Sequence, residues 1–158
     1  MKQTLNIVFA GIGGQGVIKA SDILSEAAFT AGNDVKKSEI HGMSQRGGSV
    51  TSDVRFGEKV FSPTVPAGGA DFLVVLADDQ VDLNLHHLKK DGKLITSKCI
   101  SPSKLPDPKT LNIALLGALS AYLEIPIKDW HEAIRKLLPA KFAEMNLEAF
   151  RIGREADK

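Results

Sequence analysis

The chain has 158 residues, 20 Lys plus Arg against 19 Asp plus Glu, a formal net charge of +1 and 43% hydrophobic residues. That size suits one compact domain over 1–158 with a core large enough to need no disulfide or metal staple. A near-neutral balance without a Lys/Arg run argues against nucleic acid or an anionic membrane as partner. The single cysteine, Cys99, has no partner for an internal disulfide and cannot hold an iron-sulfur cluster, which takes about four thiolates.

The opening MKQTLNIVFAGIGG lacks the pattern of a secretion signal, and the longest apolar stretch, 111–123, falls short of the ~20 residues of a membrane helix. A cytoplasmic location is the expectation. Residues 5–10, LNIVFA, are a short apolar run ending at glycines and predict a buried parallel strand. A helix follows over 17–31. Val17, Ala20, Leu24, Ala27, Ala28 and Ala31 recur three or four apart and form one stripe, with Lys19, Asp22 and Glu26 outward, until Gly32-Asn33 ends it. Residues 34–40 predict a second strand, completing a strand, glycine turn, helix, strand order.

Val50, Ser52, Val54 and Phe56 alternate, and Gly57-Glu58 then turns the chain into KVFS, which predicts a β-hairpin over 49–63. FLVVLA at 72–77 is a second continuous apolar run, followed by an Asp78 cap, a short helix to 90, an Asp91-Gly92 turn and a strand KLITS. Pro102, Pro106 and Pro108 mark a connecting loop, and Asp107-Pro108 caps a helix running to about 123. That helix is apolar almost all round, so it is either sandwiched in the core or packed against another chain. Two amphipathic helices close the chain, one lined by Trp130, Ala133, Ile134 and Leu137, the other by Phe142, Met145, Ala149 and Ile152. The expected fold class is α/β: three α/β/α layers, a mostly parallel twisted sheet with a Rossmann-like start, a β-hairpin and C-terminal helices.

Eleven of the 14 glycines lie in the first 69 residues, and four form GIGGQG at 11–16, between the first strand and its helix. In such a turn Gly11 allows a tight reversal, Gly13 admits a ligand close to the backbone, and Gly16 permits close helix packing. Unpaired amides and the helix dipole favour an anion there; a structural turn without ligand is the plainer reading. For a nicotinamide cofactor, Glu39 stands about where the ribose hydroxyls need a carboxylate. The residues that follow, IHGMSQRGG at 40–48, form a polar glycine-rich loop instead of the next helix, so the mononucleotide unit is not repeated.

That second loop places an imidazole, a hydroxyl, an amide and a guanidinium between glycines. Arg46 offers paired hydrogen bonds to a carboxylate or phosphate, while Ser44 and Gln45 orient a polar group. The candidate ligand-binding residues are Gly11, Gly13, Gly14, Gln15 and Gly16 with Ser44, Gln45, Arg46, Gly47 and Gly48. His41 could move a proton near neutral pH or be a hydrogen-bonded structural residue, and no catalytic residue or metal site is assigned. His86-His87 with Asp82 suits either a metal or a solvated helix end. Lys36-Lys37 meet phosphates or flank an edge strand, and Cys99 reads as an inert thiol. No Gly-x-Ser-x-Gly elbow, P-loop lysine or zinc spacing occurs.

Five blocks taken in order, GIGGQG (11–16), SEIHGMSQRGGSVTSDVRFG (38–57), SPTVPAGGAD (62–71), LNIALLGALSA (111–121) and NLEAFRIG (146–153), resemble the gamma-type domain of the 2-oxoacid:ferredoxin oxidoreductases. Within that family the HGMSQRGG loop and VRFG look most like the beta subunit of the indolepyruvate enzymes. The resemblance implies oxidative decarboxylation of an aryl pyruvate on thiamine diphosphate, electron transfer through iron-sulfur clusters to ferredoxin, and acyl transfer to coenzyme A. It also implies a large alpha-type partner subunit carrying both cofactors, since this chain has neither a Gly-Asp-Gly thiamine motif nor the cysteines for a cluster. This chain would bind none of these cofactors alone; it would complete the active-site cleft and offer its glycine loops to coenzyme A or a substrate anion. A self-associated isolated chain is compatible with that role. A stand-alone NAD(P)-binding Rossmann-type oxidoreductase, and a binding module without partner, are the alternatives.

Overall fold

The computed structural model describes residues 3–42 and 48–156. Its centre is a five-stranded sheet of β1 (Leu5–Ile12), β2 (Asp34–His41), β3 (Ser49–Gly57), β4 (Ala70–Val75) and β5 (Leu88–Thr96), in the order β2-β3-β1-β4-β5. β3 runs antiparallel to both β1 and β2, β4 is parallel to β1, and β5 is parallel to β4. Four strands therefore point one way and β3 alone opposes them, giving the mostly parallel α/β sheet that the apolar runs predict. β1 is buried on both sides, as a central strand of such a sheet must be. Ile7 and Phe9 enter the larger core, and Val8 and Ala10 a second, smaller one.

The hairpin is built from different strands than the alternation at 49–63 suggests. β3 pairs back onto β2, in register from Asp34 with Gly57 to His41 with Val50. KVFS forms no strand, because β3 already has β1 and β2 as its two neighbours and has no free edge to offer. β5 also begins early. Its register against β4 shifts between Ala70 and Phe72, so Asp91-Gly92 sits in a bulge instead of closing a turn.

The helices divide unequally between the two faces. α1 (Val17–Thr30) and α3 (Leu111–Ser120) lie on one face, α4 (Ile127–Leu137) packs on α1, and α5 (Ala143–Ala156) packs on α3. This double tier encloses the main core, with Trp130 against Phe150 at a ring separation of 5.5 Å. α3 is buried from Asn112 to Ser120 inside this chain, which settles why it is apolar all round and removes it as a surface for another subunit. Two glycines let it approach α5: a Cβ on Gly117 would meet the Phe150 carbonyl, and one on Gly153 the Ala114 carbonyl. The buried stripe of α5 is Ala143, Asn146, Ala149, Phe150 and Gly153, rotated from the predicted one, so Phe142 is left exposed.

The opposite face has a thin cover. It consists of the one-turn α2 (Val81–Asn84) with its flanking 3-10 turns, and an extended strap over 58–69 whose Pro63, Pro66, Gly68 and Gly69 disfavour a helix. Val65 of the strap and Val81 close the smaller core. Polar sheet residues tie the strap down. The Val60 and Val65 amides donate to Asp34 Oδ2 (2.8 Å) and Asp53 Oδ2 (2.9 Å), Arg55 to the Ser62 carbonyl (2.8 Å), and Asn6 Nδ2 to the Gly69 carbonyl (3.1 Å). Each bond contributes on the order of 1 kcal/mol, the ones to carboxylates somewhat more.

Candidate functional site

β1, β4 and β5 end at the same edge of the sheet, at Ile12, Val75 and Thr96. From β1 the chain crosses towards β2; from β4 it crosses the other way, to β5. The gap between the carboxyl ends of β1 and β4 is therefore the point where the winding reverses, the usual ligand crevice of an open α/β sheet. The Leu76 amide donates to the Ala10 carbonyl at 2.9 Å, keeping the two strands together to their tips.

The glycine loop sits at this point. Gly11 is still inside β1, where a Cβ would press on Gln15 and Val17, so its smallness serves packing and the reversal comes later, at Gly14 and Gly16. Gly16 is left-handed at φ 84° and caps α1, and a side chain there would run into Asn112 of α3. Asn112 Nδ2 in turn donates to the Gly16 carbonyl at 3.2 Å. Gln15 turns inward: its Oε1 accepts from the Ile12 amide at 2.9 Å and its own amide donates to the Ile12 carbonyl. The Gly13 amide donates to the Gly48 carbonyl at 2.9 Å. Among the described residues the Gly14 and Gly16 amides have no acceptor, and the first-turn amides of α1 have none within the helix.

The bond from Gly13 to Gly48 joins the two glycine loops that the sequence separates by more than thirty residues. Gly42 and Ser49 close the base of the second loop, and Ser49 Oγ donates to Gln80 Oε1 at 3.0 Å, tying it to the segment after β4. Ser44, Gln45, Arg46 and Gly47 lie outside the described residues. His41, at the end of β2, is exposed, with Nε2 3.7 Å from the Glu39 carboxylate.

A cleft of ≈ 390 Å³ opens beside the first loop, lined by Gly14, Gln15, Gly16, Leu76, Pro108, Lys109, Leu111 and Asn112. Two helix starts converge on it, those of α1 and of the turn that leads into α3, where Asp107 caps the Lys109 amide at 2.8 Å. Lys109 is exposed and adds a cation to this amide-rich wall. Lys109 and Asn112 escaped the sequence reading. Asp107-Pro108 marks a helix start there, but nothing in the order of residues says that this start folds against a glycine loop some ninety residues upstream.

Glu39 is not placed for a nicotinamide ribose. β3 separates β2 from β1, which puts it two strand spacings, about 10 Å, from the glycine loop. Its carboxylate is instead ion-paired to Lys37, which also holds Asp22 and keeps Glu39 below the usual carboxylate range. Lys36-Lys37 thus belong to an edge strand. The His86 and His87 rings lie 4.0 Å apart and tilted by 38°, and no group of three or more His, Cys, Asp or Glu side chains gathers as a metal site among the described residues.

The model of the pyruvate ferredoxin/flavodoxin oxidoreductase family matches residues 6–108 and 100–156, nearly the full length. The chain belongs to that family. It is 33% identical to indolepyruvate oxidoreductase subunit IorB of Thermococcus kodakarensis over 97% of this chain and 96% of that protein. Among solved structures, it resembles the gamma subunit of a keto/oxoacid ferredoxin oxidoreductase from Geobacter sulfurreducens, with a TM-score of 0.81 and 28% identity over 96% and 97% of the two chains. The fold also recurs in a 2-oxoglutarate:ferredoxin oxidoreductase from Magnetococcus marinus solved with 2-oxoglutarate, coenzyme A and succinyl-CoA. There the TM-score is 0.82 and the identity 20%, over 99% of this chain and 31% of the other. The chain is accordingly an oxidoreductase subunit, and the self-contained Rossmann enzyme is set aside. No helix among the described residues is long and apolar enough to cross a membrane.

Proposed function

We propose that this chain is the small subunit of an indolepyruvate-type 2-oxoacid:ferredoxin oxidoreductase and that its glycine loops hold coenzyme A or a substrate anion at the edge of an active site shared with a larger subunit. A thiamine diphosphate and iron-sulfur clusters would belong to that partner, with ferredoxin as acceptor. The residues here do not fit either group: there is one cysteine, and no cluster of ligating side chains among the described residues. The carrying observation is the convergence of two helix starts and Lys109 on one cleft at the winding reversal of the sheet.

What this chain contributes is binding and positioning. The Gly14 and Gly16 amides and the first turn of α1 present donors and the positive end of a helix dipole to an anion. Lys109 adds a full charge. Gln15 holds the loop in shape through Ile12, and the Gly13 amide anchors the second loop at Gly48. Coenzyme A in the Magnetococcus marinus structure supports the choice of ligand; the amide-rich cradle supports the choice of place.

Lys109→Ala in the reconstituted two-subunit enzyme tests this. The expected result is an apparent KM for coenzyme A raised about tenfold, as for a lost charge-assisted contact, with kcat little changed and the KM for ferredoxin unaffected. An unchanged KM for coenzyme A and for the 2-oxoacid would remove the cradle from the active site.

A further inference from the structure

The sheet ends in two edge strands, and they are built differently. β5 carries Lys89, Lys90, Asp91 and Lys93 and a register shift against β4, the charges and irregularity that keep an edge from pairing. β2 is regular from Asp34 to His41, has no proline, and pairs with β3 alone among the described residues. Its outward polar groups can be named. The Gly42 amide donates to the Ser49 carbonyl at 2.6 Å, continuing the register in which His41 faces Val50, so the even-numbered residues of β2 turn their amides and carbonyls to β3. Val35, Lys37, Glu39 and His41 turn theirs outward. Three exposed apolar side chains border this edge: Ile40 on the strand (62% exposed), Phe29 with Val35 and Lys37 in the hollow beside α1 (67%), and Phe61 (86%) next to the Val60 amide that holds Asp34.

We propose that β2 is the contact between two copies of this chain, paired antiparallel about a twofold axis through Ser38 so that the two sheets become one. A twofold axis normal to the sheet keeps each face on its own side, so facing residues differ by an even number and few registers are open. Centred on residue 37, Lys37 would meet its own copy; centred on residue 39, Glu39 would. Like charges directly opposite are unfavourable. Centred on Ser38, Lys37 of each copy faces Glu39 of the other, Val35 faces His41, and the stem of Lys36 covers Ile40. All four outward residues of one copy then pair with outward residues of the other. Lys37 lies 2.8 Å from Asp22 of α1, which fixes its ammonium on the helix-bearing face where Glu39 of the second copy arrives. On the strap face Asp34 and Lys36 lie opposite Gly42 and Ile40, so Phe61 comes near the exposed Ile40 of the second copy. The helices have room. α1 packs on β3 and β2, and the two β3 strands stand three spacings, about 14 Å, apart, which admits two helices about 10–12 Å in diameter. Each chain has one such edge, so the pairing closes at two copies. The seam lies on the far side of β2 from the glycine loop and holds whatever ligand lies there.

Sedimentation equilibrium of the full chain tests this. The native chain should weigh twice its 17.0 kDa. Lys37→Glu and Glu39→Lys should each be monomers, since each puts like charges opposite across the seam. Mixed in equal amounts the two variants should dimerise, because every facing pair of positions 37 and 39 is again opposite in charge. Glu39→Pro removes an outward amide without touching the ladder to β3 and should be a folded monomer by circular dichroism. A native chain that is monomeric, or that forms an open-ended assembly, would overturn the proposal. So would a dimer that survives Glu39→Pro, or a mixture of folded charge variants that stays monomeric. Hydrogen exchange on the native dimer needs no variant: the outward amides of Lys37 and Glu39 should be protected, and free exchange at both would place the contact elsewhere.

Discussion

Individual side chains in this protein answer to burial before they answer to type. Asp53 and His87 both belong to the thinly covered face. Asp53 is nearly buried and accepts the Val65 amide; burial pushes its carboxyl above the ordinary range, only partly offset by that bond and by His87 and Arg55. His87 is half-buried, and burial with the neighbouring His86 lowers its imidazole below 6.5, while Asp53 pulls the other way. The two act in opposite directions on stability. Acidification that protonates Asp53 favours the fold, since the folded form takes the proton more readily than the unfolded one. For His87 the unfolded chain takes its proton first, so stability is lost as pH falls from above 6.5 through the lowered folded value. Urea midpoints measured between pH 8 and pH 5.5 should therefore fall less in His87→Gln than in the native protein. Parallel pH profiles would show that His87 does not titrate with folding.

At the scale of elements, the closest approach is α3 against α5. Neither Gly117 nor Gly153 has room for a Cβ, because the facing carbonyls of Phe150 and Ala114 occupy that space. Gly153→Ala replaces a poor helix former with the best, worth up to about 1 kcal/mol in an exposed helix. Here it should instead destabilise by about 2–3 kcal/mol, the scale of overpacking in a tight core. Chemical denaturation measures it, and a stabilised variant would mean that α5 is free to shift. The same elements show where sequence periodicity informs and where it stops. α1, β1, β4 and the buried α3 were legible because each carries its burial pattern within itself. The partner of β3 was not: 49–57 alternates in the same way whether it pairs with 34–41 or with 59–62, and only the count of free sheet edges decides. The division of helices between faces was equally hidden, being set by connection lengths and by prolines in the strap. The turn between β1 and α1 at the GIGGQG stretch was legible as strand, glycine turn and helix, but the inward turn of Gln15, the strand position of Gly11 and the arrival of Lys109 are tertiary facts.

At the scale of the molecule, one face of the sheet has two tiers of helices and a large core, and the other has a strap, one-turn helices and a small core. The chemistry-bearing segments gather at neither face but at the strand tips, where the two glycine loops and the capped start of α3 meet. Such an edge offers amides, lysines and glycines, the groups that the proposed anion cradle uses. The relatives are small subunits of oxidoreductases, and the proposed role makes turnover depend on a second chain. The measurement that tests it most directly is 2-oxoacid-dependent ferredoxin reduction, assayed anaerobically with coenzyme A, for this chain alone, for the large subunit alone and for the two together. The expected result is no turnover by this chain, little or none by the large subunit, and robust coenzyme A-dependent reduction by the pair. Turnover by this chain alone, or undiminished turnover by the large subunit without it, would contradict the assignment.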